Sequence, residues 1–249
     1  MATFGFKLYN TAEFALTTVN GIRVQDYRED ISSKAYPISI PRQHGGKIDD
    51  TQKLNQRIIN LTGKIIGTTK EDYRTNVVTF LENIKYGKQK FYKFDDRYIW
   101  VNNGPLQVID GPTMLWGDFT ADLICVDPFW YALTESNNIF TTAATTYNFS
   151  ITNFGNSRTP ARIKITAASN FTNPVITNST LSQTATYTGT STALIEDTVN
   201  STVTSGGSNA LSNFSGEFIE LASGLNNLVF TQSAGISVTI TVYWTDRYY

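Results

Sequence analysis

The chain has 249 residues, 41% of them apolar, with a net charge of −1, one cysteine and one histidine. That length accommodates two domains of roughly 120 residues each, or one large sandwich or barrel. The near-neutral charge excludes the basic field that holds nucleic-acid phosphates, and a lone Cys125 and a lone His44 exclude an internal disulfide and a zinc cluster.

The start, MATFGFKLYN, lacks a charged and then apolar leader with a small-residue cleavage site, and no later run approaches the roughly 20 apolar residues of a membrane span. The expectation is a chain made in a cytosol, with no signal peptide and no membrane insertion. Next, IPRQHGGKID places Arg42, His44, Gly45 and Gly46 in a glycine-rich loop. The run RIINLTGKII then sets Ile59, Leu61 and Ile65 on one face of a strand. In the following stretch Tyr73, Val77, Phe80, Leu81 and Ile84 recur at three- and four-residue steps, which predicts a helix from about Thr69 to Tyr86. Thr68 and Glu71 match a capping box at its start, and Gly87 offers a left-handed cap at its end. RYIWVNN and FTADLICV alternate as strands, so the first length reads as α+β.

At CVDPFWY, residues 125–131, the composition changes. Residues 1–131 hold 16 Lys/Arg, 15 Asp/Glu and 15 Ser/Thr, whereas residues 132–249 hold 4, 6 and 38, a swing too large for one uniform surface. Two domains, 1–131 and 132–249, are therefore expected. The second has no helical stripe. Its short alternating runs ARIKI, EFIEL, NLVF and SVTITVYW, separated by Gly, Asn and Ser, predict an antiparallel sandwich. In the last run Val238, Ile240, Val242 and Trp244 face a core, opposite Thr239, Thr241 and Tyr243. Residues 177–213 are rich in Thr and Ser, but returning apolar positions at Leu181, Ala185, Tyr187, Leu194, Ile195, Val199 and Val203 favour exposed strands over disorder.

Templates for chemistry fail. No P-loop, dinucleotide fingerprint or nucleophile elbow occurs, and His44 has no acid or nucleophile at a tuning distance in sequence. Cys125 sits in an apolar strand pattern and reads as a small packing group. The acids of DYRED and the pairs at Asp49 and Asp95 have basic neighbours and read as solvated charge, short of a calcium loop. Six Asn-x-Ser/Thr triplets in so Asn- and Ser/Thr-rich a chain carry no message without a leader. Neither a metal, a cofactor nor an enzyme activity is expected. Tyr147, Phe149, Phe154, Tyr187 and Tyr243 are aromatics that could stack on sugar rings if exposed.

The order NGIRVQDY, IPRQHGG, LTGKIIGTTKEDYRTNVVTFLENIKYG, RYIWV, LICVDPFWY and the final GLNNLVFTQSAGISVTITVYWTDRYY resembles the distal tail proteins of long-tailed phages, over nearly the whole chain. The resemblance implies a ring-forming first domain assembled as a homo-hexamer at the tail tip, with Arg42, His44, Gly45 and Gly46 as a ring-contact loop. It implies a galectin-like β-sandwich for the second domain. The ring would join the tail-tube protein to the tail-associated protein and the receptor-binding protein in the virion. In this reading Asp127 and Pro128 close the first domain, because proline cannot donate to a ladder, and Phe129, Trp130 and Tyr131 anchor the linker. The competing expectation is a free-standing carbohydrate-binding module or lectin, with weak glycan binding by the second half.

Overall fold

The computed structural model describes residues 6–9, 13–33, 37–39, 46–48, 54–84, 87–94 and 96–249. The chain divides into two compact units, Met1–Trp130 and Tyr131–Tyr249. In chain order the first contains β1 (Phe6–Tyr9), β2 (Glu13–Leu16), β3 (Ile22–Ser33), β4 (Pro37–Ser39), β5 (Gly46–Ile48), β6 (Leu54–Ile66), α1 (Lys70–Ile84), β7 (Gln89–Phe94), β8 (Arg97–Asp110) and β9 (Trp116–Cys125). The short strand β10 (Trp130–Ala132) falls at the division.

The first unit is built on an antiparallel sheet of order β2-β1-β7-β8-β9-β6-β3. Ile59, Leu61 and Ile65 are fully buried on β6, as their alternation requires, and face the same side as Phe119, Ala121, Leu123 and Cys125 of β9. Gly63 belongs to that inner row. A Cβ there would lie 2.7 Å from the Phe119 ring and 2.2 Å from the Arg23 carbonyl, so this position admits no side chain. The sheet curls so that its end strand β3 meets β7: Tyr27 of β3 stacks on Phe91 of β7, with centroids 6.3 Å apart and planes 7° from parallel.

α1 is the one α-helix among the described residues and buries Tyr73, Phe80 and Ile84. Its start lies one residue later than the sequence pattern suggests. Thr69 Oγ1 accepts from the Asp72 amide at 3.1 Å, while the Asp72 carboxylate accepts from the Thr68 amide at 2.7 Å and the Thr68 hydroxyl at 3.0 Å, so Asp72, not Glu71, closes the cap, with Thr68 and Thr69 sharing the other half. Gly87 is not a left-handed cap, since its φ is not positive. The buried Gln89 amide instead donates to the carbonyls of Asn83 (2.9 Å) and Ile84 (3.4 Å), satisfying acceptors that the helix end leaves open. Residues 85 and 86 lie outside the described residues.

The second unit contains β11 (Ser136–Thr142), β12 (Thr146–Asn153), β13 (Thr159–Thr172), β14 (Val175–Asn178), β15 (Gln183–Tyr187), β16 (Thr190–Asp197), β17 (Thr202–Ser205), β18 (Ser208–Asn209), β19 (Phe214–Gly216), β20 (Glu220–Leu221), β21 (Gly224–Thr231), β22 (Val238–Trp244) and β23 (Arg247–Tyr248). Two antiparallel sheets, β11-β22-β13-β16-β17-β18 and β12-β21-β14-β15-β19, form a sandwich. Val238, Ile240, Val242 and Trp244 are buried, as their phase requires. The Thr-rich region 177–213 is ordered into strands, with Ala185, Tyr187, Leu194 and Val203 in the core and Val199 on the surface. Its polar composition is partly structural. Asn178, which begins one of the Asn-x-Ser/Thr triplets, is fully buried and donates to the Glu220 carbonyl at 2.7 Å.

Candidate functional site

The residues 125–131 singled out in the sequence occupy two environments. Cys125 is the last residue of β9 and is fully buried; burial pushes its thiol up to about 12, so the thiolate needed for nucleophilic attack is absent at neutral pH. Beyond it the chain turns. The Phe129 amide donates to Asp127 Oδ1 at 3.4 Å, Pro128 is buried and Phe129 is half-buried. Trp130 is 6% exposed and completes the core of the first unit, with its ring 6.3 Å from Phe91 and 5.9 Å from the Arg57 guanidinium.

Arg57 organises the polar floor beneath that indole. Its side chain is 1% exposed, and Nη1 donates to Glu29 Oε2. Tyr27 donates to the other Glu29 oxygen, which also receives Lys93 Nζ at 3.1 Å. Burial opposes the Glu29 charge, but the hydrogen bonds from Tyr27 and Lys93 and the Arg57 and Lys93 cations prevail and hold the carboxyl below its ordinary value. The Tyr27 hydroxyl is driven far up, first by burial and then by its bond to Glu29. Arg57 Nε and Nη2 are buried without a hydrogen-bond partner. This is a cluster for holding strands together. Its two cations share the one Glu29 carboxylate, its phenol stays protonated, and its thiol is a buried packing group.

On the other side of the division Tyr131 belongs to the second unit. Arg247 Nη2 donates to its hydroxyl at 2.8 Å and stacks 5.0 Å from its ring centroid. The Ala132 amide donates to the Asp246 carbonyl at 3.0 Å, and the Asp246 carboxylate accepts from Trp244 Nε1 at 2.9 Å. The junction residues are thus tied separately into the two units. Of the loop expected to contact a neighbouring subunit, Arg42, His44 and Gly45 lie outside the described residues, and Gly46 opens β5, paired with Ser39.

Sequence reasoning missed three features. The Arg57–Glu29 pair is one, although Arg57 shares the strand phase of Ile59 and Leu61. The second is Glu196, buried in the sandwich core beside a cavity of about 20 Å³ bordered by Ile163, Tyr187 and Val203. Burial raises its carboxyl to about 7, against the 2.8 Å bond it accepts from the Ile219 amide. The third is a ladder of lysines and aromatics on the outer side of β7 and β8. Lys88 lies 4.5 Å from the Trp100 ring centroid and Lys90 4.2 Å from that of Tyr98.

Of the five aromatics considered for sugar stacking, Phe149 and Tyr187 are buried, Tyr147 is half-buried, and the Tyr243 ring is covered by Arg162 at 4.3 Å. Phe154, 77% exposed, is the one that presents its ring to solvent. Among the described residues no three His, Cys, Asp or Glu are placed to hold a metal ion, and no helix is long and apolar enough to cross a membrane.

No protein-family profile matches the chain, and no curated protein matches it in sequence. Among solved structures it is similar to the SPP1 Dit (gp 19.1) protein, described as a paradigm of the hub adsorption apparatus in phages that infect Gram-positive bacteria. The TM-score is 0.75 at 18% identity, covering 98% of this chain and 99% of that one. The chain therefore has the fold of that protein across both units. A match to the VP2 subviral particle of infectious bursal disease virus, at TM-score 0.22 and 11% identity, carries no argument.

Proposed function

We propose that this chain is a structural subunit of a phage tail tip: a distal tail protein whose first unit assembles into a ring of six. The ring joins the tail-tube protein to the tail-associated protein and to the receptor-binding apparatus in the virion. The observation that carries this reading is the likeness to SPP1 Dit, which extends over both units and nearly every residue of both chains. Fold alone does not define function, so the chemistry must agree. It does. The one conspicuous polar cluster spends its charges on internal pairing, and the single cysteine is a buried, protonated packing group. In this reading the second unit is a galectin-like sandwich carried by the ring, and the role involves assembly, not turnover.

The test is the assembly state of the purified full-length chain, alone and mixed with tail-tube protein, by mass photometry and negative-stain imaging. Rings of six are expected. Monomers throughout, with no ring in either condition, refute the reading.

A further inference from the structure

The lysine–aromatic ladder lies on the outer side of the first unit, apart from its apolar inner row. Lys88 and Lys90 stand over Trp100 and Tyr98, which meet edge to face at 5.6 Å, and Lys90 also lies 5.4 Å from the Trp100 ring. Among the described residues neither lysine has an acidic partner. Tyr98 and Trp100 are half-buried and point away from the inner row of Ile99 and Val101. Two cations with no acidic partner among the described residues, held over a partly exposed Trp–Tyr platform, form a surface rich in the aromatic residues that anchor protein interfaces.

The complement lies on β3. Tyr27 and Glu29 point inward and meet Phe91 and Lys93 of β7, so β3 and β7 face each other across the interior of the unit. Their outward sides therefore look in opposite directions. The outward side of β3 carries exposed Asp26, Arg28 and Asp30. Arg28 takes Asp26 at 3.0 Å, while Asp30 has no basic partner among the described residues. β3 also ends the sheet, pairing with β6 on one side only along the strand order. The outward side of β3 also carries exposed Arg23, so the one carboxylate left uncompensated on it among the described residues is that of Asp30. A cationic, aromatic face and a separate face that offers this carboxylate are two different surfaces of one unit, as a heterologous contact that repeats from copy to copy uses.

Resting on the ring reading, we propose that Lys88, Lys90, Tyr98 and Trp100 of one copy dock against the Asp26–Asp30 face of β3 in a second copy of this chain. Charge complementarity sets the head-to-tail polarity, and the aromatic platform supplies the desolvated centre.

The experiment uses full-length protein under the conditions in which the wild type forms rings. The double variants Lys88→Glu/Lys90→Glu and Asp26→Lys/Asp30→Lys are each expected to lower the ring fraction by about tenfold or more, because like charges then oppose each other. Mixed one to one they regain rings of alternating copies, since the reversed ladder of one variant fits the reversed β3 face of the other and their two unchanged faces fit each other. The quadruple variant regains rings alone. Rings that persist in either double variant, or failure of both the mixture and the quadruple variant to restore them, overturn this interface while wild-type rings leave the tail-tip reading standing. Wild-type protein that never forms rings removes both. A measurement that needs no substitution complements these. Wild-type rings must loosen as salt is raised toward 0.5 M, through screening over about 10 Å or less, and rings indifferent to salt refute the charge pairing.

Discussion

Replacing Glu29 with alanine strands Arg57. The guanidinium is 1% exposed, two of its nitrogens already lack partners, and Glu29 is its acidic partner in the cluster. Breaking a buried pair from one side costs about 3 to 5 kcal/mol, because the remaining charge has neither water nor a counter-ion. A domain of this size has a total stability of about 5 to 15 kcal/mol, so the loss is a large share of it. With a urea slope of about 2 kcal/mol per molar, the unfolding midpoint of the first unit should fall by about 2 M. Tryptophan fluorescence reports it, since Trp100, Trp116 and Trp130 lie in the first unit and only Trp244 in the second. Arg57→Met removes the charge and keeps most of the volume, leaving Glu29 with Tyr27 and Lys93, so it should cost less than Glu29→Ala. The Glu29→Ala/Arg57→Met double variant should then be more stable than the sum of the single losses implies, with a coupling of about 1 to 3 kcal/mol. A Glu29→Ala loss under about 1 kcal/mol, or singles that add to within about 0.5 kcal/mol, would show that water reaches Arg57 and that the cluster is not what binds β3, β6 and β7. The pH dependence has a definite sign. The folded-state carboxyl is held below its unfolded value, so its contribution is complete above the unfolded pKa and is lost as pH falls through the lowered one.

Trp130→Ala should destabilise the first unit by about 3 to 5 kcal/mol, read by urea unfolding, since a nearly buried indole on Phe91 is lost along with its stacking on Arg57; an unchanged midpoint would place the ring at the surface. Glu196 titrates the opposite way to Glu29: with its carboxyl raised to about 7 from 4.5, its own contribution to stability is complete below pH 4.5 and is lost as pH rises through 7. Glu196→Gln should therefore raise the melting temperature of the second unit at pH 8, by an amount corresponding to a few kcal/mol, and leave it nearly unchanged at pH 4.5; an equal effect at both pH values refutes this. Cys125 should resist thiol reagents in the native protein at pH 8 and react on unfolding, and Cys125→Ala should leave assembly intact at a cost of at most about 3 kcal/mol; rapid native labelling would reopen a reactive role.

The helix was legible because its signal is local: a stripe at three- and four-residue steps survives whatever packs on it, and Tyr73, Phe80 and Ile84 are the positions buried. Its C-terminal closure was not, because Gln89 reaches back from the next strand and competes with the glycine rule from outside the helix. Arg57 was readable in principle, sharing the inward phase of Ile59 and Leu61. Glu29 was not, and the reason is a register shift. On β3 Ile22 faces the core, but the irregularity between Val24 and Asp26 exchanges the faces, so Tyr27 and Glu29 turn inward while Asp26 and Asp30 turn out. A period-two reading of IRVQDYRED from Ile22 without that bulge puts Glu29 on the outer face and Asp26 and Asp30 on the inner one, the reverse of their places in the structure. One added backbone residue thus separates an acid that holds the unit together from two that it presents outward. It also follows that the internal cluster and the proposed docking face cannot vary independently. Removing the bulge would turn Glu29 to solvent and bring Asp26 and Asp30 toward Phe91, undoing the core and the acidic face in a single step.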